Sequence, residues 1–210
     1  MSTNKIIGVA LSSHPDFPAF LHNIGNLGYT LRIVMPKEER EDLDMLIIWS
    51  NGSYQNAVSK SEVPNPGLID TFIEEFAITE SVNYYTDIPI LCLDTACLYM
   101  RSVFGGYVVA PEMVGKPIKI VIEDPLVVEK ITIQSIQRTQ ILIPSEDCYK
   151  FAVSENNQSI GIIKGSNYAL QLRVEEMYFL NEILYHFFPL EEVLKSPPPP
   201  PQILIPIPKS

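Results

Sequence analysis

The sequence is poor in cysteine and histidine. Its 210 residues include only three of each, scattered without the paired spacing of metal ligands or of a disulfide framework. Such sparse cysteines are typical of proteins that stay in a reducing compartment. We therefore expect a cytoplasmic protein, or one exported by a route that the sequence does not show, with no metal site and no cofactor.

Basic residues and long apolar runs are also scarce. The chain has 15 Lys and Arg against 25 Asp and Glu, and no basic run forms a stripe, so nucleic acid is not an expected partner. The first apolar stretch, residues 6–11, is far shorter than a signal core or a membrane span, so no membrane association is expected. With 46% hydrophobic and 19% charged residues, the composition is that of a folded domain.

Short apolar runs alternate with helix-like stretches through the first half of the chain. Runs that are apolar throughout are typical of parallel strands covered by helices on both faces. Residues 18–28 carry apolar side chains at helical spacing, which predicts a helix with Gly28 as its C-cap. Strands are predicted at residues 6–11, 31–35, 45–49 and 89–93, and further helical stretches at 68–76 and up to 104.

The second half is rich in β-branched residues, with turn signals between short runs. This pattern predicts antiparallel strands or an added β-flap. The strands are predicted at residues 118–122, 127–133, 140–143, 151–154, 159–164 and 168–172, and a last helix at 175–188. We expect one domain over residues 1–190 and a proline-rich tail over 191–210.

The tail contains five consecutive prolines followed by Ile-Leu-Ile-Pro-Ile-Pro. Such a segment favours an extended polyproline conformation. It is either a disordered end or a ligand for an aromatic-grooved domain, and its apolar end could pack on the domain or on a partner chain. A protein partner bound through the tail and a homo-oligomer are both open.

Four segments stand in an order that resembles the class I glutamine amidotransferase superfamily, to which γ-glutamyl hydrolases of the peptidase C26 type also belong. A glycine pair, Gly105–Gly106, follows Asp94 by eleven and twelve positions, as a pair does after the nucleophile in that family. The segments are the first strand, Asp-Met-Leu-Ile-Ile-Trp-Ser-Asn-Gly at 44–52, Pro-Ile-Leu-Cys-Leu-Asp at 89–94 and Gln-Leu-Arg-Val-Glu at 171–175.

The resemblance implies a flavodoxin-like three-layer α/β/α fold, with a mostly parallel sheet and an antiparallel flap or extension. It also implies where a Cys-His-Glu triad would lie: the nucleophile position holds Asp94, the base position Arg173 and the acid position Glu175. The oxyanion or pocket positions hold Trp49, Asn51, Gly52 and Thr95.

The triad positions depart from the chemistry that acyl transfer needs. A carboxylate attacking an amide would give an unstable anhydride, whereas a thiolate beside an imidazole is the working pair. Arg173 cannot accept a proton as a general base. No other cysteine takes over the role, because Cys92 lies inside the strand and Cys97 is expected to pack one turn into the helix, while Cys148 is expected to be a surface or half-buried thiol.

Three functions stay open at this point. In the leading one, the chain is a catalytically degenerate binding or scaffold module, in which Asp94 and Arg173 form an ion pair with Glu175 on the other side of Arg173. In the second, an amide hydrolase of the glutamine amidotransferase or γ-glutamyl hydrolase type uses a rebuilt site of Asp94 and Glu175. In the third, a sensor binds a small carboxylate ligand through Arg173.

Overall fold

The computed structural model describes residues 5–38, 42–51, 71–82, 88–110, 115–123, 131–136, 140–172, Leu180, Leu184 and 203–204. Twelve strands and four helices have their bounds within these residues. The elements are β1 (Ile6–Ala10), α1 (Phe17–Gly25), β2 (Thr30–Val34), β3 (Met45–Ser50), α2 (Thr71–Val82), β4 (Ile90–Asp94), α3 (Ala96–Tyr99), α4 (Arg101–Phe104), β5 (Tyr107–Val109), β6 (Pro117–Ile122), β7 (Ile131–Ile136), β8 (Ile141–Ile143), β9 (Tyr149–Ser154), β10 (Ser159–Lys164), β11 (Asn167–Leu170) and β12 (Ile203–Leu204).

Ten of these strands form one mixed sheet in the order β12-β2-β1-β3-β4-β11-β10-β9-β6-β7. The pairs from β12 to β11 are parallel. The pairs from β11 to β7 are antiparallel. Strands β5 and β8 form a separate two-stranded antiparallel sheet. The predicted α/β fold, with a mainly parallel core and an antiparallel extension, is confirmed.

Helices cover both faces of the central parallel strands, so β3 and β4 bury both sets of their alternating side chains. On β3, Ile47 and Trp49 face a cluster that contains the apolar side of α1, together with Leu180 and Leu184. The intervening residues Leu46 and Ile48 face a second cluster built by α2, α3 and α4. This two-sided burial explains why the strands are apolar throughout.

Several local predictions were inaccurate, among them the following three. Helix α1 ends at Gly25 rather than Gly28, because residues 26–28 tighten into a turn in which the Gly28 N–H donates to the Gly25 carbonyl and Gly28 takes a φ of 91°. The helical stretch after β4 is broken at Met100 into α3 and α4. Strand β5 was not predicted.

The glycine pair after α4 lies where the chain passes close to β8. Gly105 ends α4 in the left-handed conformation, with φ 66°. A Cβ on Gly106 would come within 2.1 Å of the Ile143 carbonyl oxygen. Only glycine lets the backbone approach this closely. The glycine that lies twelve positions after Asp94, as in the family that the sequence resembles, is therefore explained by packing.

The predicted last helix and most of the tail lie outside the described residues. Leu180 and Leu184, one turn apart, are helical and buried in the cluster that contains α1. In the tail, β12 pairs with β2. None of the helices among the described residues is long and apolar enough to cross a membrane.

Candidate functional site

The candidate site is built where β3 and β4 end. These adjacent parallel strands pair with Trp49 opposite Leu93 and Ser50 opposite Asp94, so their carboxyl ends meet at one edge of the sheet. In open α/β sheets this edge is where ligands bind. Asn51, half-buried, follows β3 directly, and Thr95 follows β4.

Asp94 occupies a sharp turn between β4 and α3, which we call the elbow. Its backbone is left-handed, with φ 58°, and the residue is only 3% exposed. Asp and Asn adopt this conformation more readily than other non-glycine residues. The elbow therefore has the strand-turn-helix geometry in which a nucleophile is presented at the end of a strand.

The residue after the elbow is bonded to the neighbouring strand. The Thr95 backbone N–H donates to the Ser50 carbonyl over 2.9 Å. The Thr95 hydroxyl donates to the same oxygen over 2.6 Å. At a nucleophile elbow, the backbone N–H of this residue is the one that stabilises a developing oxyanion. Here that N–H continues the ladder between β3 and β4.

Trp49 lies in the core at the end of β3. It is fully buried and stacks on Phe20, with ring centroids 4.5 Å apart, and on Phe17 at 6.3 Å. Its indole N–H has no hydrogen-bond partner among the described residues. The side chain thus joins the end of β3 to α1.

His14, in the loop after β1, packs its ring edge against Trp49 at 5.6 Å. Its Nδ1 accepts a hydrogen bond from the Asp16 N–H, so the neutral ring carries its proton on Nε2. His14 is half-buried and held by this turn. The structure places it against Trp49, two strands from the elbow.

Cys92 and Cys97 are both fully buried beside the elbow. The Cys97 thiol donates to the Cys92 carbonyl over 3.3 Å. Burial raises the pKa of the Cys97 thiol well above its ordinary value, and the neighbouring Cys92 and Asp94 raise it further. The burial confirms the prediction that Cys97 packs. A buried, protonated thiol is also a poor nucleophile.

Cys148 is buried, so the expectation of a surface or half-buried thiol is wrong. The cause is a turn that folds back onto the end of α4: the Ser145 hydroxyl and the Cys148 thiol both donate to the Phe104 carbonyl, over 2.7 and 3.3 Å. Beside them, the Ser145 hydroxyl and the Lys164 ammonium group lower the pKa of the Asp147 carboxyl.

Gln171 has a structural role that its place in the Gln-x-x-x-Glu segment did not reveal. Its buried side-chain amide accepts from the Leu142 N–H over 2.6 Å and donates to the Leu142 carbonyl over 3.0 Å. It also donates to the Ser159 carbonyl over 2.8 Å. The amide thereby imitates a strand backbone and joins β8 to the large sheet.

The remaining candidate residues, Gly52, Arg173 and Glu175, lie outside the described residues. The ion pair between Asp94 and Arg173 therefore stays a prediction. Within the described part of the chain, no group of His, Cys, Asp and Glu side chains is arranged to hold a metal ion.

The parallel strands, the helices on both faces and the strand-turn-helix elbow at the carboxyl edge define an α/β/α domain. Solved structures of similar fold cover most of the chain. One, assigned as a GMP synthase subunit from Thermoplasma acidophilum, has 19% identity and a TM-score of 0.65, over 89% of this chain and 94% of that chain.

Two similar structures come from Thermotoga maritima. PurLQS has 12% identity and a TM-score of 0.60, over 88% of this chain and 98% of that chain. A glutamine amidotransferase has 11% identity and a TM-score of 0.58, over 93% and 87%. No protein-family model and no curated protein sequence matches the chain. The chain therefore has the fold of class I glutamine amidotransferases, as its motif order predicted.

Proposed function

We propose that this protein is a catalytically degenerate glutamine amidotransferase-like domain that acts as a binding or scaffold module. The observation that carries the proposal is the elbow itself. Asp94, a carboxylate, occupies the elbow, the position that the resemblance assigns to the nucleophile, and the N–H of Thr95 is bonded to the Ser50 carbonyl. The fold supplies the position for acyl transfer, while the groups at that position do not suit the reaction.

The chemical requirements of acyl transfer all count against catalysis at this elbow. The reaction needs an activated nucleophile, a proton acceptor beside it and donors aimed at the oxyanion. Cys97, the nearest thiol in the helix after the elbow, is buried with a raised pKa. The family's base position holds Arg173, which stays protonated at all accessible pH values.

We further propose that Asp94 pairs with Arg173, with Glu175 on the other side of the guanidinium. In active relatives of this fold, the resemblance implies a thiolate and an imidazolium at these two positions. A carboxylate and a guanidinium preserve the same arrangement of charge without the reactivity. A buried pair of this kind costs about 3–5 kcal/mol when one partner is removed.

Binding would then use surfaces other than the elbow, and the proline-rich tail is the candidate for a protein partner.

We place the protein in a reducing compartment such as the cytoplasm, because none of its three buried cysteines forms a disulfide.

Release of glutamate and ammonia from glutamine and a panel of γ-glutamyl amides tests the proposal. Wild-type protein is assayed beside Asp94→Ala and beside Asp16→Ala, a control that removes an exposed carboxylate from the loop after β1. We expect no turnover above buffer with any of the three proteins. Turnover that is lost in Asp94→Ala and kept in Asp16→Ala would establish a carboxylate-based hydrolase and overturn the proposal.

A thermal-shift panel of small carboxylates separates a scaffold from a sensor. A scaffold whose Arg173 is paired with Asp94 shows no shift with glutamate or glutamine. A shift that disappears in Arg173→Ala would instead identify a carboxylate sensor.

A further inference from the structure

The outer edge of β2 is covered by a strand of only two residues. In β12, Ile203 lies opposite Leu31 and Leu204 opposite Arg32, in parallel register. On its other side, β2 pairs with β1 along all five of its residues. Among the strands that the structure describes, the C-terminal segment is therefore the last at this end of the large sheet.

The register determines which backbone groups of β2 the segment covers. The Val34 carbonyl accepts from the Leu11 N–H over 2.9 Å, so the backbone groups of Val34 point toward β1. Alternate residues of a strand turn their N–H and C=O groups to opposite sides. The backbone groups of Leu31 and Ile33 consequently point outward, where the Leu204 N–H stands opposite the Leu31 carbonyl.

An uncovered β2 would be a template for association. It is five residues long, Thr-Leu-Arg-Ile-Val, without a proline or a glycine to interrupt pairing. Rows of outward N–H and C=O groups on such a strand pair with another chain unless something covers them. A second copy of this chain carries the same edge.

The segment that covers β2 is a poor partner for a further strand on its own outer side. Pro201 and Pro206 stand two residues away on either side of Ile203–Leu204, and proline has no N–H to donate. The sheet therefore ends at a strand too short, and too closely flanked by prolines, to accept another strand.

We propose that Ile203–Leu204 is an intramolecular cap strand, supplied by the chain's own C-terminal segment, that keeps β2 from pairing with the β2 of a second copy. Two paired residues make few hydrogen bonds, each contributing about 1 kcal/mol. The covalent link to the domain supplies the rest, since it holds the segment near its site at an effective concentration on the order of millimolar. The cap is thus detachable, and the chain self-associates through β2 when the cap is released.

The full chain with Leu204→Pro tests the proposal, because a proline at 204 removes the N–H that faces the Leu31 carbonyl. Ile207→Pro is the matched control, placed beyond the paired residues. Backbone amide hydrogen exchange is measured at Leu31 and Ile33, and association by sedimentation velocity over a range of protein concentrations. A peptide corresponding to residues 201–210 is then added in excess.

We expect wild type and Ile207→Pro to be monomeric with both amides protected. Leu204→Pro is expected to lose protection at least tenfold, to dimerise as its concentration rises and to return to monomer with the peptide. Unchanged protection would overturn the proposal, as would a Leu204→Pro protein that exposes β2 and stays monomeric, or a dimer that the peptide does not dissolve. The wild-type protein could instead be a dimer whose amides lose protection on dilution. The strand on β2 would then come from a second copy, which would also contradict an intramolecular cap.

Discussion

At the scale of single residues, the left-handed backbone of Asp94 makes a prediction that is independent of catalysis. Ala is ordinarily more stable than Gly at an exchangeable position, by about 0.4–1 kcal/mol. At φ 58° the order should invert, because a Cβ in the left-handed region costs about 1–2 kcal/mol. We expect Asp94→Gly to be more stable than Asp94→Ala by about 1 kcal/mol in urea unfolding. Equal stabilities, or the ordinary order, would contradict the elbow geometry.

Gln171 makes a second prediction at this scale. Replacing it with Ala would leave the Leu142 N–H, the Leu142 carbonyl and the Ser159 carbonyl without their buried partner. We expect a loss of about 2–4 kcal/mol in the free energy of unfolding, because buried groups left unsatisfied cost about 1–3 kcal/mol each and relax in part.

Gln171→Glu is the matched variant for this test. It keeps the size of the side chain but cannot donate to the two carbonyls when ionised, so it should be no more stable than Gln171→Ala. A loss below about 0.5 kcal/mol for either variant would show that the amide does not join β8 to the sheet.

At the scale of elements, the junction between α4 and β8 depends on Gly106. A methyl group there would meet the Ile143 backbone oxygen at 2.1 Å, so strand β8 must move. We expect Gly106→Ala to cost about 3 kcal/mol, at the upper end of overpacking effects. Gly115→Ala is the control, because no atom lies within 4 Å of its added Cβ and only its φ of 73° opposes the change. Similar losses for both variants in thermal unfolding would contradict the close approach.

The helix after the elbow makes a prediction about pH. The pKa of the Cys97 thiol in the folded chain is raised, chiefly by burial, above an ordinary value of 9.0. The unfolded thiol ionises first as the pH rises, so unfolding releases a proton and stability falls above about pH 9. One proton corresponds to about 1.4 kcal/mol per pH unit.

Cys97→Ala should therefore show a shallower loss of stability between pH 9 and 10.5 than the wild type in urea titrations. Burial also raises the pKa of Tyr168 above 10.0, so Tyr168→Phe is a control that should change only the upper part of this range. Parallel curves for wild type and Cys97→Ala would contradict a buried, protonated thiol.

Elements buried on both faces were readable from the sequence, and short or edge elements were not. Strands β3 and β4 are apolar along nearly their whole length, so their existence followed from composition alone. Strand β5 has three residues and β12 has two, and prolines stand near β12. Their pairing depends on where the rest of the fold puts a free edge, and local sequence does not encode that position.

The position of the elbow was predictable from the sequence, but the contacts around it were not. Asp94 was located from the motif order and the glycine pair that follows it. The hydrogen bond between Thr95 and Ser50 depends on the register of two strands that lie far apart in the chain, and periodicity does not specify register. Likewise, nothing in the segment at 171–175 indicates that the Gln171 amide turns toward β8.

At the scale of the whole molecule, the fold and the chemistry of the elbow are separable. Two apolar clusters, one on each face of the sheet, hold the domain together. Neither cluster needs a thiol at position 94 or an imidazole at position 173. The fold can therefore form without catalytic groups at these positions, which makes the proposed degenerate amidotransferase physically reasonable.

The most direct test of a chemically silent elbow is covalent trapping with a diazoketone analogue of glutamine, followed by intact mass measurement. This reagent alkylates reactive thiols and esterifies reactive carboxyl groups, so it would report either kind of nucleophile. We expect the native protein to keep its unmodified mass. A single adduct per chain that maps to the peptide containing Asp94, and that is absent from Asp94→Ala, would contradict it.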